Sequence, residues 1–94
     1  MTPTDEKKDD KYPDRVTLRR YDSLTKKYFK NTQDDVPAKK REVKGEFRFD
    51  IPGKLVGGKP QVGSEITEAD GTVWEITKSD LGDPHLCIVR KKPD

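Results

Sequence analysis

A single cysteine, Cys87, stands among the 94 residues, so no disulfide can form within the chain, and a reducing compartment fits. Its neighbours Leu86, Ile88 and Val89 predict a buried, inert thiol rather than a nucleophile. Histidine is equally scarce. His85 alone, with no partnering cysteines, cannot assemble a metal site, which takes three or four ligands. No apolar run approaches the roughly 18–20 residues that span a bilayer, and the N-terminus has no hydrophobic h-region, so no signal peptide is expected. Hydrophobic residues make up only 29% of the chain and charged ones 40%. A domain of this length buries roughly 60–65% of its unfolded surface, so the core must be small, and an oligomeric interface would add burial. Charge of one sign is missing too: 20 basic residues against 18 acidic leave +2, a balance that does not point to nucleic acid.

Catalytic constellations are missing as well. The carboxylates are plentiful but fall at alternating, solvent-facing positions, and nothing activates a serine or the cysteine. Gly57-Gly58-Lys59 lacks the spacing, the following Ser or Thr and the helix of a phosphate cradle. No enzyme, cofactor or metal chemistry is therefore expected.

What is present is β-structure, organised around residues 62–78. Two runs with β-branched residues flank Asp70-Gly71, a strong short-range hairpin signal. A two-residue loop would set Ile66 against Glu75. A three-residue loop, Ala69-Asp70-Gly71, sets Ile66 against Trp74 and Ser64 against Ile76, gathering the apolar side chains on one face. It also puts Gly71 where a type I turn plus bulge needs a left-handed residue. The three-residue loop is expected, with Thr72, Trp74 and Ile76 facing inward. Glu65 then opposes Glu75, and both should face water. Trp74, the only tryptophan, is expected in the core.

Residues 1–14 carry three lysines against five acids, with Pro3, Pro13 and Tyr12. This composition predicts a disordered N-terminal arm, leaving one β domain over 15–92. Val16 and Leu18 alternate with Arg15, Thr17 and Arg19, the period of a half-buried strand, and Arg20 ends it. Between residues 22 and 36, Leu24 and Tyr28 are four apart behind Ser23, which predicts a helical turn or two. Residues 31–35 read as loop. A long loop in a small domain is often functional, so Tyr28 and Phe29 are either core anchors or partner contacts. Lys39, Lys40 and Arg41 could meet phosphate or guard a strand edge.

From Val43 the alternation is strict: Val43, Gly45, Phe47, Phe49 and Ile51 on one face, Lys44, Glu46, Arg48 and Asp50 on the other. This predicts a strand with a bulge or bend at Gly45. Leu55-Val56 and Gly57-Gly58-Lys59-Pro60 follow as turns. Residues 85–90 are apolar on both faces, as in a covered strand. Five strand candidates with Gly and Pro turns predict an all-β fold, a small SH3-like β-barrel with long inter-strand loops, or failing that an OB-like barrel.

The order of these motifs resembles a known family. Val16-Thr17-Leu18-Arg19-Arg20, a long loop, Lys40-Arg41-Glu42 with Gly45-Glu46, then Val62-Gly63-Ser64-Glu65-Ile66-Thr67 and Asp70-Gly71-Thr72-Val73-Trp74-Glu75-Ile76 resemble the head-closure, or head–tail joining (stopper), proteins of tailed bacteriophages, over residues 15–91. The resemblance implies a non-enzymatic structural protein of a phage or prophage neck. It would assemble as a homo-oligomeric ring between portal or adaptor and tail proteins, in the bacterial cytoplasm during assembly and in the virion neck afterwards. Loops would make the contacts, here residues 22–36 and 51–62. The candidate partner contacts are Tyr28, Phe29, Lys39, Lys40, Arg41, Leu55 and Val56. The alternative is a small nucleic-acid-binding barrel, with Arg19, Arg20, Lys39, Lys40, Arg41, Arg90 and Lys91 on phosphates and Tyr28, Phe29 or Trp74 stacking on bases.

Overall fold

The computed structural model describes residues 12–55 and 57–93; most of the expected arm, and Val56, lie outside them. The strands are β1 (Asp14–Arg19), β2 (Tyr21–Asp22), β3 (Lys27–Tyr28), β4 (Gln33–Val43), β5 (Glu46–Ile51), β6 (Glu65–Glu68), β7 (Val73–Asp80) and β8 (His85–Lys91). Six of them close an antiparallel barrel in the order β1-β4-β5-β8-β7-β6, and β2 and β3 form a separate two-stranded ribbon. The expected small all-β barrel is present. Closure leaves it without the exposed edge that an open sheet must protect.

Alternation builds the interior. Val16 and Leu18, Val36 and Ala38, Phe49 and Ile51, Ile66, Trp74 and Ile76, and Cys87 and Val89 point inward and are buried. The hairpin has the expected register, with Ile66 against Trp74 and Glu65 against Glu75. Gly71 donates to the Glu68 carbonyl at 2.9 Å and has a φ of 94°, so the loop is the three-residue turn with a left-handed glycine. Trp74 packs on Phe47 and Phe49, with ring centroids 4.8 and 6.2 Å away. Burying it removes a large apolar side chain from water, roughly 2–3 kcal/mol of stabilisation.

Several local expectations are corrected. Residues 22–28 form no helix: a single i to i+4 bond, from the Lys26 N–H to the Asp22 carbonyl at 2.7 Å, turns the chain back into a ribbon instead. Tyr21 pairs with Tyr28 and Asp22 with Lys27, and Asp22 Oδ1 accepts from the Leu24 N–H at 2.9 Å to close the ribbon's turn. Residues 33–35 are strand rather than loop, because β4 is a single 11-residue strand. Its first half pairs with β1 and its second half with β5. Gly45 is no bulge: with φ of 83° it sits in the turn between β4 and β5. The strict alternation from Val43 therefore ran across a two-residue turn that reverses its phase: Val43 pairs with Glu46 and faces outward, while Phe47, Phe49 and Ile51 keep the inward face. β1 begins at Asp14, inside the expected arm.

Glu65 is a further correction. It points outward, yet it is buried. The ribbon covers it: the Tyr28 hydroxyl donates to Glu65 Oε2 at 3.3 Å, Lys92 bonds to the same carboxylate, and Arg19 lies 3.6 Å from it. Arg19 also stacks 4.2 Å above the Tyr28 ring. The hydrogen bond to Glu65 holds the Lys92 ammonium more firmly protonated than usual.

Candidate functional site

The barrel has two unlike ends. β1 sets the direction: its Arg19 end lies beside Glu65 and its Val16 beside Glu68, while Asp14 pairs with Ala38. The ribbon, residues 52–64 and the β7–β8 loop therefore gather at the Arg19 end. The β4–β5 turn and the β6–β7 hairpin loop gather at the Asp14 end.

Three stretches distant in sequence are tied together at the ribbon end. Arg20 makes the central clasp. Its Nε donates to Gln33 Oε1 at 2.7 Å, and its Nη2 and Nη1 donate to the carbonyls of Gly58 and Lys59 at 2.7 and 3.3 Å. Burial lowers its pKa from the ordinary arginine value, which the carbonyl contacts tolerate because guanidinium remains charged at any physiological pH. Ser23 donates through its N–H and hydroxyl to Gln61 Oε1, at 3.2 and 3.0 Å. Tyr21 donates to buried Ser64 Oγ at 3.0 Å. On the far side Ser79 Oγ donates to the Pro60 carbonyl at 2.7 Å, and Lys59 Nζ to the Ser79 carbonyl at 3.1 Å. Gly53 N–H reaches Asp83 Oδ1 at 3.2 Å.

This bracing leaves apolar side chains in solvent. Leu24 at the ribbon tip is 93% exposed, Leu81 74%, Val62 53% and Phe29 51%. All four belong to this end, and among the described residues only Val43 of the other large hydrophobics is exposed elsewhere. Surface apolar residues scattered singly need no explanation; here four gather at one end of the barrel.

Of the residues singled out in the sequence, Phe29 belongs to this surface. Tyr28 anchors the ribbon over Glu65. Leu55 turns inward and packs against the core, and Val56 lies outside the described residues. The basic run is not brought here. Lys39 and Arg41 point outward from β4, with Arg41 bonded to Asp50 at 2.9 Å. Lys40 points into the opposite end. Sequence reading missed Leu24, Val62 and Leu81. The signal available for Leu24 was Asp22, whose side chain closes a turn two residues on, between the aromatic pair Tyr21 and Tyr28.

The opposite end is an open mouth, a cavity of about 800 Å³ lined by Phe47, Thr72, Trp74 and Val89 among others. Lys40 Nζ sits 5.0 Å from the Trp74 ring centroid and 5.3 Å from that of Phe47. It pairs with Glu68 Oε1 at 3.2 Å, which also accepts from Trp74 Nε1 at 2.8 Å. Lys40 is thus a lid on the aromatic floor rather than a free surface cation. Asp70 at the rim accepts from the Thr72 N–H at 2.9 Å, and that bond holds its carboxyl below the usual range.

The interior offers little chemistry. Burial pushes the Cys87 thiol up to about 12, with Asp50 adding to the shift, so it carries no thiolate near neutral pH. His85 Nδ1 accepts from the Gly82 N–H at 3.2 Å, which fixes the neutral ring. Among the described residues no group of three His, Cys, Asp or Glu could hold a metal. No helix among them is long and apolar enough to cross a membrane.

Comparisons of the chain with protein-family models, with curated proteins and with solved structures found no match.

Proposed function

We propose that the protein is a structural joining component that docks through the ribbon end of its barrel, in the manner of the head-closure proteins its motif order resembles. It would assemble as a ring of copies between portal or adaptor and tail. The observation that supports this most is the convergence of residues 20–33, 52–64 and 79–83 on one end, held by the Arg20 clasp and exposing Phe29, Val62 and Leu81. The first two overlap the loops, residues 22–36 and 51–62, where the resemblance puts partner contacts. Bracing matters for docking, because a surface already ordered gives up less entropy on association.

The test is size-exclusion chromatography with light scattering, on the protein alone and mixed with portal, adaptor and tail proteins from the same genome. A stable complex, weakened at least about tenfold by Val62→Asp or Leu81→Asp as expected for central apolar contacts, is the expected result. A folded protein that binds none of these components overturns the reading.

A further inference from the structure

Two hydrogen bonds tie the loop between β7 and β8, residues 81–84, to the barrel. The Gly82 N–H donates to His85 Nδ1 at 3.2 Å, and the Gly53 N–H donates to Asp83 Oδ1 at 3.2 Å. The loop lies close on residue 53, where an added Cβ would come within 2.6 Å of the Gly82 carbonyl oxygen. Leu81, exposed, rides on this loop. His85 is the inner anchor. It is buried at the start of β8, opposite Ile51, and its Nε2 is buried with no hydrogen-bond partner among the described residues. We propose that His85 is a proton-operated latch: protonating its ring frees residues 81–84 from the end of the barrel and moves Leu81 with them.

The chemistry of the ring makes the latch. A neutral imidazole has one N–H and one lone-pair nitrogen. With Nδ1 accepting from Gly82, the proton sits on Nε2, and the next proton can go only to Nδ1. There it turns the acceptor into a donor, so two N–H groups face each other and the tie to Gly82 is lost. The charged ring is also disfavoured in place. Burial opposes the cation most, and Arg20 and Lys59 add to that, while Asp83 favours it. Asp50 of β5 and Asp80 of β7 do not face the ring. Both pair with Leu86, whose side chain takes the opposite face of β8 from His85. Opening the loop relieves the charge by letting the imidazolium reach water. The same charge draws on Asp83, so the tie to Gly53 weakens with the tie to Gly82.

The direction of the pH response follows. In the open loop His85 titrates near its ordinary 6.5, and in the closed loop it titrates lower. Closure is therefore at full strength above pH 6.5 and weakens by about tenfold for each pH unit below it, until the closed-state value is reached. Leu81 belongs to the surface proposed for docking, so docking should weaken in the same window where that reading holds. The latch itself does not rest on it.

The test is an NMR titration of the wild-type protein from pH 8 down to acid unfolding. The His85 ring signals and the Gly82 and Gly53 amide signals should shift with one midpoint below 6.5, while the fold persists. The Gly71 amide, in the hairpin loop at the far end, should not share that midpoint. His85→Asn offers Gly82 a carboxamide oxygen that does not titrate, and should remove the shared shift of Gly82 and Gly53. If His85→Asn fails to fold, the wild-type titration decides alone. Four results overturn the latch: a His85 ring that titrates while both amides stay still, a ring that titrates only as the whole barrel unfolds, a Gly71 amide that moves with the ring, or a shared shift that survives in His85→Asn. A protein that binds no neck component at pH 7.5 sinks the proposed function and leaves these signals as the measure of the latch.

Discussion

His85 shows how one side chain sets a pH limit on this fold. It is buried with its Nδ1 committed as an acceptor, and burial, aided by Arg20, lowers its pKa below the ordinary 6.5. The unfolded chain takes up a proton near pH 6.5 that the folded chain refuses. Stability is therefore full above that pH and declines as pH falls through 6.5 towards the depressed folded value. Thermal melts between pH 8 and 5 should show a falling midpoint for wild type and a flatter profile for His85→Leu over the upper part of that range. Parallel profiles would remove His85 from the account. Nothing in the sequence marked this role, because a solitary histidine beside a Pro-containing loop looks the same whether buried or exposed. Trp74 is the opposite case: inward position, partner Ile66 and core environment all followed from alternation around Asp70-Gly71.

At the scale of elements, two glycines with similar backbones should respond differently. Gly71 has φ of 94°, and a side chain there would meet nothing within 4 Å. Gly63 has φ of 99°, and a Cβ there would lie 2.7 Å from Tyr21 Cδ2. Gly71→Ala carries only the left-handed backbone cost, about 1 kcal/mol. Gly63→Ala carries that cost and also displaces Tyr21, whose ring meets Tyr28 edge-on at 5.1 Å. Urea denaturation should rank Gly63→Ala clearly below Gly71→Ala in stability, and only Gly63→Ala should raise hydrogen exchange at Tyr21 and Phe29. Equal losses with exchange unchanged would mean the ribbon is not held through Tyr21. The ribbon and the long β4 were the elements least legible beforehand. The spacing of Leu24 and Tyr28 imitates a helix, and the polar stretch 31–35 imitates a loop. Pairing of β2 with β3 overrode the first and pairing of β4 with β1 the second, as tertiary context does with local propensity.

For the whole molecule, the placement of charge bears on the nucleic-acid alternative. Arg41 and Arg90 each pair with an acid on a neighbouring strand and Lys40 with Glu68 two strands away, and the basic residues divide between the barrel's wall and both ends. A phosphate-tracking surface needs unpaired cations in a continuous groove. Titration with single- and double-stranded oligonucleotides at low salt is expected to show no shift. Binding that steepens as salt is lowered would restore that alternative.

Alternation of apolar and polar residues, glycine placement and the near absence of cysteine and histidine were enough by themselves to determine an all-β domain, the hairpin register, the inward face of four strands and an inert thiol. These are local consequences of a two-residue period and of steric limits at φ above zero. Tertiary structure alone decided that six strands close, that Glu65 lies under Tyr28, and that Leu24, Phe29, Val62 and Leu81 share one end opposite an aromatic mouth. Each of those depends on contacts between residues tens of positions apart. The periodicity of a strand says which face a side chain takes, not which distant segment will cover it.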